Sequence, residues 1–251
     1  MNKKRKEKIG VFGGTFDPVH LGHLIIAEDL RGFFELSRVI FMPALAPPHK
    51  AGKAITSGRH RLAMLKLAVE GRAGLEVSDM ELKRGGKSYT IDTIRALKKQ
   101  KAAEYFFFAG SDSVKFLPRW KEVDALVREC TFVLMIRPGF MLDEMSIVAK
   151  KMKRETMLRL GQNVMVVRQI DISSTEIRKR AQNGQPISPY SAPRRAVHQE
   201  AQVVLTSLTC PTCPTCRTGP IAQTTLCSLC FLAPWKRLML SGSIGWERAW
   251  P

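Results

Sequence analysis

The order of apolar and polar positions divides most of the chain into two kinds of segment. Over residues 8–180, short continuous apolar runs alternate with longer stretches in which apolar residues recur every three or four positions. The first pattern is typical of strands buried on both faces, and the second is typical of helices that cover a sheet. Their alternation predicts an α/β fold, a Rossmann-like parallel sheet with helices on both faces, followed by an irregular C-terminal tail.

The predicted strands and helices follow from these patterns. Strands are expected at KIGVF, RVIFMP, GLEVSDM, EYFFFAG, CTFVLMIRP and NVMVVRQ. Helices are expected at LGHLIIAEDLRGFFEL, SGRHRLAMLKLAVEG with Gly71 as its stop, SYTIDTIRALKKQK, RWKEVDALVREC, residues 142–160 and SSTEIRKRAQNG. Because ligands of open parallel sheets bind beyond the carboxyl ends of the strands, each loop that follows a strand is a candidate wall of a site.

Composition separates the two ends of the chain from this region. Residues 1–7 form a basic N-terminal end, and residues 8–190 form the predicted α/β domain. Residues 191–251 hold five of the six cysteines and three of the four tryptophans, with little periodicity. We therefore expect a domain boundary near residue 190 and an atypical Cys-rich tail after it.

The charge indicates an anionic partner without identifying it. The formal net charge is +18 and the sequence pI is about 10.0, a field that suits nucleotides, nucleic acid or anionic lipid. The basic start MNKKRKEK has no interleaved aromatic residues, which disfavours nucleic-acid binding. No apolar run approaches the ~20 residues that a bilayer requires, and no signal peptide is evident. We expect a soluble, cytoplasmic protein without a membrane partner; a homo-oligomer remains open.

The first predicted strand leads into a loop suited to an anion. Gly13 and Gly14 would let the backbone approach a ligand closely. His20 and His23, three residues apart, would lie on one face of the first turn of the next helix. Unpaired N–H groups and the positive dipole at that helix end favour phosphate, and the imidazoles could donate hydrogen bonds to its oxygens. The alternative is an ordinary turn with surface or capping histidines.

A second loop, ISSTEIRKR, follows the last predicted strand. Ser173, Ser174 or Thr175 could cap a helix whose next turn carries Arg178. Taken alone, the loop is either a plain helix N-cap or a second phosphate site built from hydroxyls, a helix N-terminus and a guanidinium.

Together, the stretches GTFDPVHLGH and ISSTEIR resemble the signatures of the nucleotidyltransferase superfamily related to class I aminoacyl-tRNA synthetases. Within that superfamily the chain resembles the bacterial nicotinate-nucleotide adenylyltransferases, over about residues 8–185. The segments that carry this closer resemblance are PPHK at 47–50, SYTIDTI at 88–94, AGSDS at 109–113 and LPRW at 117–120.

The resemblance implies a reaction and a set of residues. It implies attack by the phosphate of nicotinate mononucleotide on the α-phosphate of ATP, which releases pyrophosphate, with Mg²⁺ held largely by the phosphates. Catalysis would involve His20, His23 and Arg178. ATP would be bound by these three residues together with Gly13, Gly14, Thr15, Phe16, Gly110, Asp112, Ser173, Ser174 and Thr175.

The acceptor would be recognised through Lys50, Thr90 and Trp120, with Trp120 stacking on the pyridine ring. Each residue also has a structural alternative: a solvated loop charge, a helix cap and a core anchor, respectively. Leu45 and Ala46 depart from the small or polar residues usual in the family at those positions. Nicotinamide mononucleotide, pantetheine phosphate and flavin mononucleotide remain alternative acceptors, although the pantetheine enzymes usually carry Thr where His20 stands.

The tail admits two interpretations. Cys213, Cys216, Cys227 and Cys230 form two Cys-x-x-Cys pairs with the spacing of a structural zinc site. The same stretch is also what a poorly ordered tail from a shifted reading frame or a fusion would contain, and we favour that interpretation over zinc. The charge and the cysteine pairs also leave a non-catalytic nucleic-acid-binding protein as a rival, which gives no reason for two phosphate loops.

Overall fold

The computed structural model describes residues 6–46, 55–136, 148–187 and 190 of the chain, all within one compact unit, Met1–Leu205. Its centre is a six-stranded sheet of order β3-β2-β1-β4-β5-β6 in which every neighbouring pair is parallel. The strands are β1 Lys8–Gly14, β2 Arg38–Pro43, β3 Leu75–Val77, β4 Glu104–Gly110, β5 Thr131–Ile136 and β6 Val164–Val166. All six predicted strands are present.

Seven α-helices are described within these residues, together with a 3₁₀ segment at Ser111–Arg119. The helices are α1 Leu21–Phe33, α2 Gly58–Val69, α3 Met80–Arg84, α4 Thr90–Gln100, α5 Val123–Glu129, α6 Arg154–Gln162 and α7 Ser174–Gln182. No described helix is both long and apolar enough to cross a membrane.

The helices cover both faces of the sheet because alternate strand residues point to opposite sides. In β1, Phe12 belongs to a buried cluster with residues of α1, α2 and α7, whereas Val11 belongs to a second cluster with residues of α4, α5 and α6. Fully burying each large apolar side chain contributes about 1.5–3 kcal/mol. The predicted Rossmann-like, two-faced architecture is confirmed.

Chain order places a topological switch at the centre of the sheet. From β1 the chain proceeds through β2 to β3 on one side, and then crosses back so that β4 pairs with the other side of β1. Loops after β1 and β4 therefore diverge and leave a crevice between them, which is where open α/β sheets bind ligands.

Three local predictions differ from the structure. The strand predicted at GLEVSDM stops at Val77, and α3 begins at Met80. The Ser78 hydroxyl accepts a hydrogen bond from the Met80 N–H at 3.3 Å and so stabilises the turn between them. The helix predicted from Arg119 begins only at Val123, because Glu122 is left-handed with φ 49°. The 3₁₀ segment before it, which contains Pro118, was not predicted.

Other boundaries agree with the sequence. Helix α2 ends at Val69, and Gly71 adopts φ 72°, so it stops the helix as expected. Within the range 142–160, the structure describes residues from 148 onward and places α6 at Arg154–Gln162. Residues 191–251, which contain the four candidate zinc ligands, and Lys50, the predicted substrate contact, lie outside the described residues. The expected domain boundary near residue 190 therefore stays a prediction.

Candidate active site

A cavity of about 840 Å³ opens at the carboxyl ends of the central strands, at the switch between β1 and β4. Most of the predicted site residues that the structure describes line it. They are Gly13, Gly14, Thr15, Phe16, His20, His23, Thr90, Gly110, Asp112, Trp120, Ser173, Ser174 and Arg178. Thr175 is exposed and outside the wall of this cavity, although its hydroxyl accepts a hydrogen bond from Arg178 Nη2 at 3.3 Å.

The loop after β1 is shaped by close packing around two aromatic rings. A Cβ atom on Gly14 would lie 2.9 Å from the ring of Phe16, and one on Gly13 would lie 3.1 Å from the ring of Phe107. Phe16 itself has φ 49° and is 3% exposed. Because its ring is buried against Phe12 and Phe41, Phe16 has little surface left for a ligand beyond its backbone.

The two histidines meet at the start of α1, although not as the sequence predicted. Only His23 lies in the first turn; His20 precedes the helix as its N-cap, with extended backbone at φ −143° and ψ 169°. The expectation that both occupy the helix is therefore wrong. The rings nevertheless face each other with centroids 3.7 Å apart, because an extended N-cap side chain folds over the third helical residue.

The hydrogen bonds of His23 fix its tautomer. The backbone N–H of His20 donates to His23 Nδ1 at 3.2 Å, and the backbone N–H of His23 donates to the His20 carbonyl at 2.9 Å. A nitrogen that accepts a hydrogen bond carries no proton, so the neutral ring of His23 has its proton on Nε2. A proton on Nε2 makes that nitrogen a hydrogen-bond donor.

The second loop is built on the N-terminus of α7. Ser173 is the N-cap, and its hydroxyl accepts a hydrogen bond from the backbone N–H of Glu176 at 3.1 Å. This selects Ser173 among the three capping candidates. Because Ser174 is not the cap, its hydroxyl donates a hydrogen bond to the Pro18 carbonyl instead, at 2.9 Å.

Arg178 completes the junction between the loops. Its Nη1 atom donates to the carbonyl oxygen of Asp17 at 2.6 Å. Together with the Ser174 contact, this bond brings the two motifs of the sequence against each other across one end of the cavity. The two loops, which follow parallel strands and so lie at the same edge of the sheet, are in direct contact.

A buried arginine that the sequence analysis did not single out supports the first loop. Arg61 is 1% exposed and donates three hydrogen bonds to backbone carbonyls: to Thr56 at 2.8 Å, to Thr15 at 2.7 Å and to Ala44 at 2.8 Å. Burial lowers the pKa of its guanidinium, and the negative charge of Asp17 opposes that change. Arg61 thus ties the loop after β1 to the loop after β2.

The sequence contains a signal for this arginine. In α2 the apolar stripe places Met64, Leu65 and Ala68 on the buried face, and Arg61 occupies the same face one turn earlier. A charged residue on such a stripe indicates buried partners, since an arginine is almost never fully buried unless it is paired.

Asp17 is buried at the same junction, 5% exposed. Its Oδ2 atom accepts a hydrogen bond from the Thr56 N–H at 3.3 Å, whereas its Oδ1 atom has no hydrogen-bond partner within the described part of the chain. Asp17 is also one of the residues that line the cavity. From the sequence, Asp17 is expected to bond to backbone or ligand groups at the turn, and its bond from the Thr56 N–H is of the first kind.

Thr90 and Trp120, which are predicted to bind the acceptor, both line the cavity. Their segments pack in the second buried cluster, on the opposite face of the sheet from α1 and α7. Thr90 is the first residue of α4, whose N-cap is Tyr89. Trp120 is half-buried and packs edge-on against Phe107 and Phe132, with ring centroids 6.0 and 5.9 Å away, while it also lines the cavity. Its two alternative roles, core anchor and ligand contact, are therefore compatible in one residue.

Gly110 and Asp112 lie where β4 passes into the 3₁₀ segment. Gly110 ends the strand, and a Cβ atom there would lie 2.6 Å from Asp112 Oδ1. Asp112 is exposed and faces the cavity. The absence of a side chain at Gly110 therefore gives the Asp112 carboxylate its position at the crevice.

Comparisons with known proteins show the family to which the chain belongs. A family model described as cytidylyltransferase-like matches residues 11–180. The chain is 43% identical over 184 residues to a probable nicotinate-nucleotide adenylyltransferase of Halalkalibacterium halodurans. The aligned region covers 72% of this chain and 83% of that protein. It is 39% identical over 185 residues to a protein of the same name from Moorella thermoacetica, and this alignment covers 73% of this chain and 84% of that protein.

Solved structures share the fold. The nicotinic acid mononucleotide adenylyltransferase of Plasmodium falciparum complexed with NaAD superimposes with a TM-score of 0.59 at 18% identity, over 77% of this chain and 94% of that one. The same enzyme complexed with APC gives 0.58 over the same shares. At this identity the likeness concerns the fold alone.

Proposed function

We propose that this chain, which belongs to the cytidylyltransferase-like family and within it to the nicotinate-nucleotide adenylyltransferases, transfers the adenylyl group of ATP to nicotinate mononucleotide. The products are nicotinate adenine dinucleotide and pyrophosphate. The contact between the two motif loops carries the proposal: Arg178 and Ser174 bind the backbone of Asp17 and Pro18 at one end of a single cavity. Two helix N-termini and two imidazoles therefore face the same space.

The chemistry requires positioning rather than a protein nucleophile. A phosphate oxygen of nicotinate mononucleotide attacks the α-phosphorus of ATP, a new P–O bond forms, and the bond to the β-phosphate oxygen breaks. Charge develops on the α-phosphate oxygens and on the departing pyrophosphate. Preorganised donors at those positions stabilise the transition state because they need no reorganisation when the charge appears.

We assign the triphosphate to the end of the cavity where the loops meet. The backbone at Gly14 and Thr15 and the N-termini of α1 and α7 supply N–H groups and positive dipole ends. His23 donates from Nε2, since its Nδ1 accepts from His20. Arg178 supplies a guanidinium at the same end, where it closes the second loop over the first.

Magnesium fits this site as a companion of ATP. Within the described residues, no group of three or more His, Cys, Asp or Glu side chains could hold a metal by itself. Mg²⁺ takes one or two carboxylates together with phosphate oxygens and water. The buried Asp17 carboxylate, with one oxygen unpartnered within the described residues, would be the protein ligand. The ion would neutralise charge on the leaving pyrophosphate.

We assign nicotinate mononucleotide to the opposite end, between Thr90 and Trp120. The exposed part of the indole ring would stack on the pyridine ring. The Thr90 hydroxyl and the N–H groups at the start of α4 would bind the ring carboxylate, which the helix dipole favours. An amide in place of that carboxylate carries no charge, so nicotinamide mononucleotide would bind less tightly. Lys50, outside the described residues, is proposed as a further contact with this acceptor.

The test is a direct assay of the full chain. Incubation with ATP, Mg²⁺ and nicotinate mononucleotide should release one pyrophosphate for each dinucleotide formed. Parallel reactions with nicotinamide mononucleotide and with pantetheine phosphate serve as acceptor controls. A faster reaction with either control would overturn the acceptor assignment, and no pyrophosphate with any acceptor would overturn the proposed reaction.

A further inference from the structure

A buried carboxylate in the acceptor half of the cavity has no part in the proposed reaction. Glu81, in α3, is 7% exposed and lines the cavity beside Ser88, Tyr89 and Thr90. An acidic side chain is almost never fully buried unless it is paired. It is also unfavourable next to a pocket for an anionic substrate, so its presence there requires a compensating role.

Glu81 accepts hydrogen bonds from two hydroxyl groups on different segments. The Thr93 hydroxyl donates to Glu81 Oε1 at 2.6 Å, and the Ser88 hydroxyl also bonds to the Glu81 carboxylate. Burial raises the pKa of Glu81, while these two bonds and the charge of Arg84 oppose the rise. Arg84 in turn donates from Nη2 to the Thr93 hydroxyl at 3.1 Å.

Each hydroxyl leads to a wall of the acceptor half. Ser88 Oγ accepts a hydrogen bond from the Leu45 N–H at 2.9 Å, and the Ser88 N–H donates to the Ala46 carbonyl at 3.3 Å. Ser88 therefore fixes the loop after β2. Thr93 lies in the first turn of α4, where its N–H donates to the Tyr89 carbonyl at 3.3 Å and holds the turn that begins with Thr90.

We infer that Glu81 is the positioning residue of the acceptor site: its carboxylate joins the loop at Leu45 and Ala46 to the first turn of α4, so that both are held in the form that binds nicotinate mononucleotide. This inference rests on the proposed function for the identity of the ligand. It assigns Glu81 no contact with the reacting atoms. Its effect is expected in acceptor affinity, with ATP affinity unchanged.

The experiment compares Glu81→Gln and Ser88→Ala with the unaltered full chain. Calorimetric titration gives the dissociation constants for nicotinate mononucleotide and for ATP separately, without turnover. We expect each variant to raise the dissociation constant for nicotinate mononucleotide about tenfold, the effect of losing about one buried hydrogen bond. The dissociation constant for ATP should change by less than about twofold. Glu104→Gln, an exposed residue at the opposite end of β4, controls for the loss of one negative charge.

The combined variant tests whether the two residues act as one unit. Because Glu81 reaches the loop at Leu45 and Ala46 through Ser88, the double variant should bind nicotinate mononucleotide no more weakly than the worse single variant. Three results would each overturn the inference. They are fully additive losses of affinity for nicotinate mononucleotide in the double variant, an equal loss of affinity for ATP, and an unchanged affinity for nicotinate mononucleotide in a variant with the unaltered melting temperature. If Glu81→Gln fails to fold, Ser88→Ala, altered at a half-buried position, decides by the same criteria.

The outcome also separates this inference from the proposed function. An unaltered chain that binds nicotinate mononucleotide but forms no dinucleotide contradicts the reaction and leaves the affinity comparison valid. An unaltered chain that does not bind nicotinate mononucleotide contradicts both. Normal turnover by the unaltered chain, together with unchanged affinity for nicotinate mononucleotide in the variants, contradicts only the role of Glu81.

Discussion

Arg178 Nη1 lies 2.6 Å from the backbone carbonyl oxygen of Asp17, a residue 161 positions earlier in the chain, and donates a hydrogen bond to it. Asp17 is in the loop after β1, whereas Arg178 is in the second turn of α7. Together with the bond from the Ser174 hydroxyl to the Pro18 carbonyl, this contact joins the two motifs at one end of the cavity. A carbonyl acceptor leaves the positive charge of the guanidinium uncompensated by any carboxylate in this contact, so the charge remains available to phosphate.

The first prediction concerns this arginine. Arg178→Ala removes both the bond to the Asp17 carbonyl and the positive charge, and we expect kcat/KM to fall by about 100-fold. Arg178→Lys keeps the charge but loses the forked geometry, so an intermediate value is expected. Steady-state kinetics with varied ATP measures the effect. Equal activity of all three proteins would show that Arg178 acts in neither way.

The second prediction concerns the proton on His23. In His23→Asn, the amide oxygen can still accept from the His20 N–H, but the donor at the position of Nε2 is lost. We expect kcat to fall by more than about tenfold. His23→Gln, whose amide nitrogen reaches farther along the side chain, should retain more activity. A change confined to KM would mean that His23 binds ground-state phosphate only.

The third prediction concerns Arg61. Arg61→Met keeps the volume of the side chain but leaves the carbonyls of Thr15, Ala44 and Thr56 without their buried donor. We expect the free energy of unfolding to fall by about 2–4 kcal/mol. Arg59→Met, at an exposed position of the same helix, is the matched control and should change stability by less than about 0.5 kcal/mol. Urea denaturation measures both, and similar losses in the two variants would contradict the role of Arg61.

The fourth prediction concerns the indole ring of Trp120. Trp120→Leu should raise KM for nicotinate mononucleotide by about tenfold and leave KM for ATP unchanged, because the stacking surface is lost at the acceptor end only. Trp120→Phe keeps an aromatic face against Phe107 and Phe132. Its KM for nicotinate mononucleotide should lie between those of the unaltered chain and Trp120→Leu. A parallel rise in both KM values would indicate a general loss of packing.

The fifth prediction concerns the pH dependence of stability. Burial raises the pKa of Glu81 in the folded protein, so the folded state holds this proton more tightly than the unfolded state does. Its contribution to stability is full below the unfolded pKa, near 4.5, and declines as pH rises towards the folded pKa. Glu81→Gln does not titrate. Its stability should therefore improve relative to the unaltered chain as pH rises from about 4 to 7, as measured by urea denaturation.

Asp124 provides a control of opposite sign. Hydrogen bonds from Thr156 and Lys153 lower the pKa of Asp124, so its contribution is present above the unfolded pKa of 3.8 and is lost as pH falls through the folded pKa. Asp124→Asn should therefore lose most stability relative to the unaltered chain near neutral pH and least in acid. The same trend in both variants would contradict the assignment for Glu81.

The sequence by itself determined the fold class, the number and order of the strands along the chain and the two loops for which we propose phosphate binding. Continuous apolar runs and helical apolar spacing are local patterns, and the carboxyl ends of parallel strands must share one edge of the sheet. Those two facts place GTFDPVHLGH and ISSTEIR at the same edge of the sheet, and the family resemblance is what joined them as one expected site. The start of α5 was missed because nothing local requires Glu122 to be left-handed.

Tertiary structure alone decided how those residues are held. The extended N-cap at His20, the tautomer of His23, and the use of Arg61 and Glu81 as buried links between loops all depend on how the folded chain packs around them. A pattern of residue types records whether a position is buried or exposed, but the partner of a buried polar group is set by which segments the sheet brings together. That pairing is a property of the packed fold, where each buried donor must find its acceptor.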